Sequence, residues 1–384
     1  MEADRSRLPV RGRSHLRKDT RMPDPIQPLR VGVVGLGFAG TTALDAFSSL
    51  PGVEVVALAG QEQPRLDELA DSRGVPNRYH DWQDLVARDD LDIVSIGVPN
   101  HLHAPIGIAA LASGKHVFCE KPLAPTGDLA QAMVDAAVAA DRVLEVAFNH
   151  RRRADVQYLH RYLDEHGIGR VYHARTSWRR RQGIPGLGSW FTNREMAGGG
   201  PMIDLGPHML DIALYLMDEP RVTSVSAVTY GELGRTGRGG RQESASTGGT
   251  RTFEVEDFGS ALLRLDTGGS IHLEASWASY SADEEDIAVE LLGSTGGVRL
   301  FVRDYATDDT LRIYTDLDGV PVVVTPTVHV PAGHHLSVIT EFVAIVRSGA
   351  WANAHGEYAL HRSRVLDAVY RSAEEHREVE VETE

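Results

Sequence analysis

Thiol chemistry is almost absent from this sequence. Cys119 is the only cysteine in 384 residues, so no disulfide forms within the chain, and a reducing compartment, the cytoplasm, is expected. Long apolar runs are also missing: none approaches the ~20 residues that a membrane-crossing helix needs. Cations are in deficit, with 39 Lys and Arg against 54 Asp and Glu and a net charge of −15. Such a surface repels nucleic-acid phosphates and anionic lipid, so neither nucleic acid nor membrane is an expected partner. The rest is ordinary globular composition, 42% hydrophobic and 24% charged, with enough chain for two cores.

Residues 1–28 are Arg-rich and Pro-punctuated, with no apolar periodicity and no apolar segment of the signal-peptide kind. A disordered extension is expected there, and Met22 offers an alternative start. From residue 29 to 150, short β-branched runs (LRVGVVGL, VEVVALA, LDIVSIGV, KHVFCE, DRVLEVAFN) alternate with helical patterns. That alternation specifies a parallel sheet with right-handed crossovers, a doubly wound α/β domain of the Rossmann type. Beyond it the grammar changes. Residues 151–384 read as a helix around 156–166, then longer strands whose DTGG, STGG and DLDG turns signal hairpins, then two closing helices. This half is expected to be an α/β domain with a large, mostly antiparallel open sheet, its last helix packing back on the first domain. The segment 231–251, rich in Gly, Ser and Arg, reads as a mobile loop.

Four stretches carry chemistry. Gly35-Leu36-Gly37-Phe38-Ala39-Gly40 follows the first strand and opens the first helix. Glycines there allow a tight turn and close approach of a pyrophosphate to the free N–H groups of a helix N-terminus. The acid expected about 20 residues on, at the end of the second strand, is replaced by Gly60, with Gln61 and Glu62 after it. NADP is therefore expected to bind at least comparably to NAD. Next, Pro99 and Asn100 close the run LDIVSIGV, and His101 and His103 begin the following helix, polar groups at the ligand end of a parallel sheet rather than metal ligands. Glu120-Lys121-Pro122 closes KHVFCE, which puts an ammonium where it can donate to a substrate oxygen; the proline holds the turn extended or cis. Finally, GGGPMIDLGPHMLDIALYL (198–216) suits a buried helix, yet carries Asp204, His208 and Asp211 at spacings that stack them on one face.

Taken together, GLGFAG, PNHLH, AALASGKHVFCEKPLA, AGGGPMIDLGPHMLD and DFGSALLRLDTGGSIHLEASW make the chain resemble the glucose-fructose oxidoreductase, inositol dehydrogenase and MocA-like family over nearly its whole length after residue 29. The resemblance implies a Rossmann domain followed by an open-sheet domain. It also implies NAD or NADP as cofactor and redox chemistry at one carbinol carbon of a sugar or polyol. Carried over residue by residue, it places Lys121, Asp204 and His208 around the reacting carbon, His208 handling the proton and Asp204 orienting it or binding a hydroxyl. Glu120, His103 and Asn149 become candidates beside the cofactor, and Arg151 and Trp190 candidates for the substrate. Asp211 reads as a structural acid, and Arg179–Arg181 as a solvated face rather than a grip on an acidic or phosphorylated substrate. No metal is expected. A homodimer or homotetramer through the open sheet is implied, and two other readings stand beside the dehydrogenase: an NAD-dependent glycosidase of this fold and a non-catalytic dinucleotide-binding module.

Overall fold

The structure, a computed structural model, describes residues 27–240, 252–331 and 334–382. Most of the N-terminal extension and residues 241–251 lie outside that range. The first sheet has six parallel strands: β1 (Leu29–Val34), β2 (Val53–Ala59), β3 (Asn77–Tyr79), β4 (Ile93–Ile96), β5 (His116–Cys119) and β6 (Leu144–Val146), in the order β3-β2-β1-β4-β5-β6. Every adjacent pair runs parallel. Helices α1 (Phe38–Ser49), α2 (Gln63–Arg73), α3 (Trp82–Val86), α4 (His103–Ala112) and α5 (Gly127–Ala140) make the crossovers. Strand β3 has no counterpart among the apolar runs of the sequence. It is three residues long, polar, and paired only to β2, an edge strand with no buried face to announce it. The winding reverses between β1 and β4, which opens a crevice at their C-terminal ends.

After α6 (Ala154–His166) the chain builds a nine-stranded sheet. Its members are β7 (Val171–Arg180), β8 (Val222–Tyr230), β9 (Phe258–Leu265), β10 (Ser270–Ser276), β11 (Glu285–Gly293), β12 (Gly297–Arg303), β13 (Leu311–Leu317), β14 (Val320–Val324) and β15 (Val379–Glu380). The order is β14-β13-β12-β11-β7-β10-β9-β8-β15, antiparallel throughout except for β7 beside β10. DTGG, STGG and DLDG each form a hairpin, joining β9 to β10, β11 to β12 and β13 to β14. Between β7 and β8 lie α7 (Arg194–Ala197), α8 (Pro201–Asp204) and α9 (Gly206–Leu216). One sheet face is buried under α6, α9 and the closing helix α11 (Glu357–Glu375). The other leaves Tyr172, Val228, Tyr230 and Leu262 exposed.

One expectation about the second half needs correction, and another is extended. Of the segment read as mobile, residues 231–240 are tied down: Asp257 accepts from the backbone N–H groups of Leu233 and Gly234 at 2.7 Å each, and Leu233 packs on the core. Leu233 is the apolar anchor that the composition concealed. Furthermore, the penultimate helix, α10 (His334–Ser348), returns to the first domain along its whole apolar face. Val338, Ile339, Phe342, Val343 and Val346 share a core with Phe47 and Phe118, the Phe342 ring lying 5.4 Å from Phe118 and 6.3 Å from Phe47. Each such buried side chain contributes about 1.5–3 kcal/mol relative to exposure. Helix α11 divides its apolar residues between both cores. Helices α10 and α11 thereby tie the two domains together.

Candidate active site

A cavity of about 990 Å³ runs from the glycine turn after β1, across the C-terminal ends of β4, β5 and β6, to the end of β7 and to α8 and α9. At its first end Gly35 sits at φ +114, and a Cβ there would lie 2.1 Å from the Gly97 carbonyl oxygen. A Cβ on Gly40 would lie 2.0 Å from the Gly35 oxygen, so the turn is wedged between β4 and α1. Gly37 is different: a Cβ there meets nothing within 4 Å. It caps α1, whose first turn holds no acid and whose N–H groups no side chain caps. Unsatisfied donors at a twelve-residue helix N-terminus, lining an open cavity, suit a pyrophosphate.

The end of β2 departs from expectation. The space left by the missing acid at Gly60 is not free, because the Leu36 side chain fills it; a Cβ on Gly60 would lie 2.3 Å from Leu36 Cγ. Arg65, the nearest cation, pairs with Glu68 at 2.9 Å. Glu62 lines the cavity here, and among the described lining residues at this end there is no Lys or Arg. The extra room that favoured NADP is absent, and a carboxylate suited to a ribose hydroxyl is present.

At the other end the family's signature residues converge. Lys121 ends the turn after β5, its peptide to Pro122 cis. Its Nζ donates to Asp204 twice, to the carboxylate Oδ1 at 2.8 Å and to the backbone oxygen at 2.9 Å. The second carboxylate oxygen of Asp204 accepts from Trp277 Nε1 at 2.8 Å. Burial alone would raise the Asp204 pKa; the charges of Lys121 and Arg180, with those hydrogen bonds, outweigh it and hold the carboxyl below its usual value. Neighbouring Glu120 has less help: burial pushes it up to about 7, against the pull of Lys121. Trp178, Arg180 and Tyr305 also line the cavity, and all three donate to one oxygen of Glu285, Arg180 and Tyr305 at 2.8 Å.

His208 faces the same space from α9. The expected single helix is interrupted: α8 stops at Asp204 and α9 starts at Gly206, because Pro207 has no N–H to donate backward. Asp204 makes no hydrogen bond to His208, so its expected role in orienting the imidazole does not hold. Rings do that instead. His208 packs against His150 and Trp178, with centroids 4.7 Å and 5.6 Å away. Burial, followed by the nearby His150 and Lys121, holds its pKa well below the ordinary value, so the imidazole is neutral at pH 7. Asp211 lies one turn further and is spent on arginines.

The structure therefore sorts the remaining candidates. Pro99, Asn100, Asn149, Gln61 and Trp190 line the cavity, Trp190 stacked on Phe191 with centroids 3.8 Å apart. Arg151 does not. Its guanidinium is buried against Asp211 (Nε to Oδ2, 2.8 Å), which Arg362 also approaches at 3.2 Å, so its assignment to the substrate is withdrawn. His103 borders the cavity, but its ring nitrogens lie 2.8 Å from the Pro122 oxygen and 2.9 Å from the Val98 oxygen. It fixes the Lys121–Pro122 turn and offers no nitrogen to a ligand. Sequence reasoning missed His150, Trp178, Arg180, Trp277, Tyr305, His334 and His335, all of which line the cavity. Arg180 was hidden in a basic run that reads as solvated; in fact Arg179 and Arg181 pair with Asp286 and Glu284, while Arg180 turns inward. The HH pair opening α10 was a signal that went unread.

A glycine turn built for a dinucleotide and a Lys–Asp–His cluster share one cavity. The GFO/IDH/MocA family, described as an oxidoreductase family with an NAD-binding Rossmann fold, matches residues 29–148, and its C-terminal domain matches residues 156–299. The chain belongs to this family. A D-glucoside 3-dehydrogenase of Escherichia coli is 31% identical over 358 residues, covering 92% of this chain and 98% of its own. A levoglucosan dehydrogenase of Pseudarthrobacter phenanthrenivorans is 31% identical over 304 residues, 75% of this chain and 76% of that one. A solved levoglucosan dehydrogenase in complex with NADH and levoglucosan superposes with a TM-score of 0.79 at 26% identity, covering 93% of this chain and all of that one. Like other members of the GFO/IDH/MocA family, this chain is an NAD-dependent oxidoreductase, and the open Gly37 face and uncapped α1 terminus fit the dinucleotide. No described helix is long and apolar enough to cross a membrane.

Proposed function

We propose that the protein oxidises one secondary-alcohol carbon of a neutral sugar, inositol or glycoside, or reduces the corresponding ketone, with Lys121 and His208 managing the proton. The convergence of Lys121, Asp204 and His208 on the cavity that the glycine turn lines carries this reading. Charge argues for a neutral substrate. Among the described residues, every Lys and Arg lining the cavity already has a carboxylate: Lys121 has Asp204, Arg153 has Asp155 and Arg180 has Glu285. An added anion would find no unpaired cation among them. Trp190 and Phe191, both partly exposed, offer apolar faces of the kind that pack on the C–H side of a sugar ring. The relatives named for glucoside and levoglucosan support a carbohydrate.

When bound, NAD supplies the hydride acceptor. The chain supplies the rest. A lysine ammonium has three N–H donors; two are held by Asp204, so the third is left for the substrate oxygen. That donation stabilises negative charge as the O–H proton departs. His208, kept neutral by its burial, accepts the proton. Asp204, with both oxygens engaged, anchors Lys121 and does not exchange protons. Glu62 suits a ribose hydroxyl and opposes a 2′-phosphate, so NAD is the favoured dinucleotide. Sugars, inositols and their keto forms offered with NAD and then NADP, with absorbance followed at the nicotinamide band, test this. Net NADH formation with a neutral carbohydrate is expected, and NADP is expected to be the poorer cofactor. Bond cleavage without net NADH would favour the glycosidase reading, and no turnover of any carbohydrate would favour a binding module.

A further inference from the structure

Two imidazoles meet at the substrate end of the cavity, and the chemistry above uses only one. His150 sits in the turn 149–152 directly after β6. Its ring packs edge-on against Trp178 from β7 and His208 from α9, with centroids 4.8 Å and 4.7 Å away. Both histidines line the cavity, and in both Nδ1 is buried without a hydrogen-bond partner. Nε2 is then the nitrogen that each ring can offer a ligand. Burial, reinforced by Arg153 and His334, holds the His150 pKa well below the ordinary value, so this ring too is neutral. A neutral imidazole has one donor and one acceptor nitrogen. Through Nε2 alone it can donate to a hydroxyl or accept from one, according to its tautomer.

We propose that His150 is a specificity-determining residue that hydrogen-bonds the hydroxyl on the carbon next to the one oxidised, so that the enzyme selects vicinal diols. The proposal rests on the carbohydrate-oxidation reading. Two ring nitrogens on neighbouring imidazoles match two hydroxyls on neighbouring carbons. His208 receives the proton of the reacting hydroxyl, while His150 makes and breaks no bond and fixes which carbon stands at His208. The competing role is a spacer: an aromatic ring that merely wedges Trp178 against His208. A phenyl ring would preserve the spacer and remove the hydrogen bond.

The test compares wild type with His150→Phe and His150→Gln on methyl D-glucopyranoside, or on myo-inositol if that is the better substrate, and on the monodeoxy analogues. The new ketone is located by NMR, and NADH affinity is measured by fluorescence to verify that each variant is folded. Wild type is expected to lose about tenfold in kcat/KM on the analogue lacking the hydroxyl beside the new ketone, the worth of one hydrogen bond with its partner left unpaired. His150→Phe is expected to lose about that much on the parent substrate, mostly in KM, and to stop distinguishing parent from that analogue. His150→Gln, which keeps a donor and an acceptor, is expected to recover part of the discrimination. If His150→Phe, or His150→Gln where the Phe variant fails to bind NADH, discriminates as wild type does or loses discrimination at a remote hydroxyl instead, the proposal is overturned. A wild-type protein that turns over no carbohydrate overturns the reading beneath it.

Discussion

At the residue scale, function depends on which polar groups are already spent. Lys121 has one donor left, His208 has a free and neutral ring, and both carboxylate oxygens of Asp204 are engaged, by Lys121 and Trp277. Lys121→Met keeps the aliphatic stem and removes all three donors. It is expected to lower kcat by at least ~10² and to raise KM for the sugar, the usual scale for losing an electrostatic stabiliser of the transition state. NADH titration of the same variant is expected to give an affinity close to wild type, since the dinucleotide end of the cavity is untouched. A variant that loses only thermal stability would leave Lys121 as a structural partner of Asp204. Some of this was legible in the sequence. Lys121, Asp204 and His208 were found because the family's motifs name them. Arg151 was misplaced because sequence distance cannot show that an arginine beside Asn149 turns away toward Asp211.

At the scale of elements, the alternation of apolar runs and helical patterns reports most of the fold, because the central strands of the parallel sheet are buried on both faces and each hairpin carries its own turn residues. Periodicity fails in three places. Strand β3 is too short and polar to carry a pattern. Helix 198–216 is broken where Pro207 withholds a donor, although its apolar spacing runs straight through. Helix α10 shows an apolar face but not which domain that face meets, since the partner surface is more than two hundred residues away in sequence. That assignment can be checked. Phe342→Ala removes a fully buried ring from the shared core with Phe47 and Phe118, and is expected to cost about 3–5 kcal/mol in chemical denaturation. The same substitution on a helix packed against nothing would cost little.

At the scale of the whole molecule, buried histidines dominate the response to acid. Burial lowers His116, His335 and His361 to about 4, and lowers His103, His150 and His208 in the same direction. Below pH 6.5 each takes a proton more readily unfolded than folded, so stability is lost as pH falls, down to about 4 for His116, His335 and His361. Glu120 and Glu145, raised to about 7 by burial, act in the opposite sense, since the folded chain holds their protons up to that pH. His173 and His334 are lowered as well, and Glu256 and Asp367 raised, so eight histidines oppose four carboxyls. A lower Tm at pH 5 than at pH 7.5 is therefore expected in calorimetry; an equal or higher Tm at pH 5 would mean that the carboxyls prevail.

The account as a whole turns on proton transfer at His208 inside a preformed dinucleotide cavity. Its most direct test is a side-by-side measurement of His208→Ala and wild type, following sugar-dependent NADH formation and NADH affinity on the same samples. The predicted result is a kcat lower by about 10² to 10⁴, the usual worth of a general base, with NADH affinity unchanged. Turnover close to wild type in a variant that binds NADH normally would contradict it.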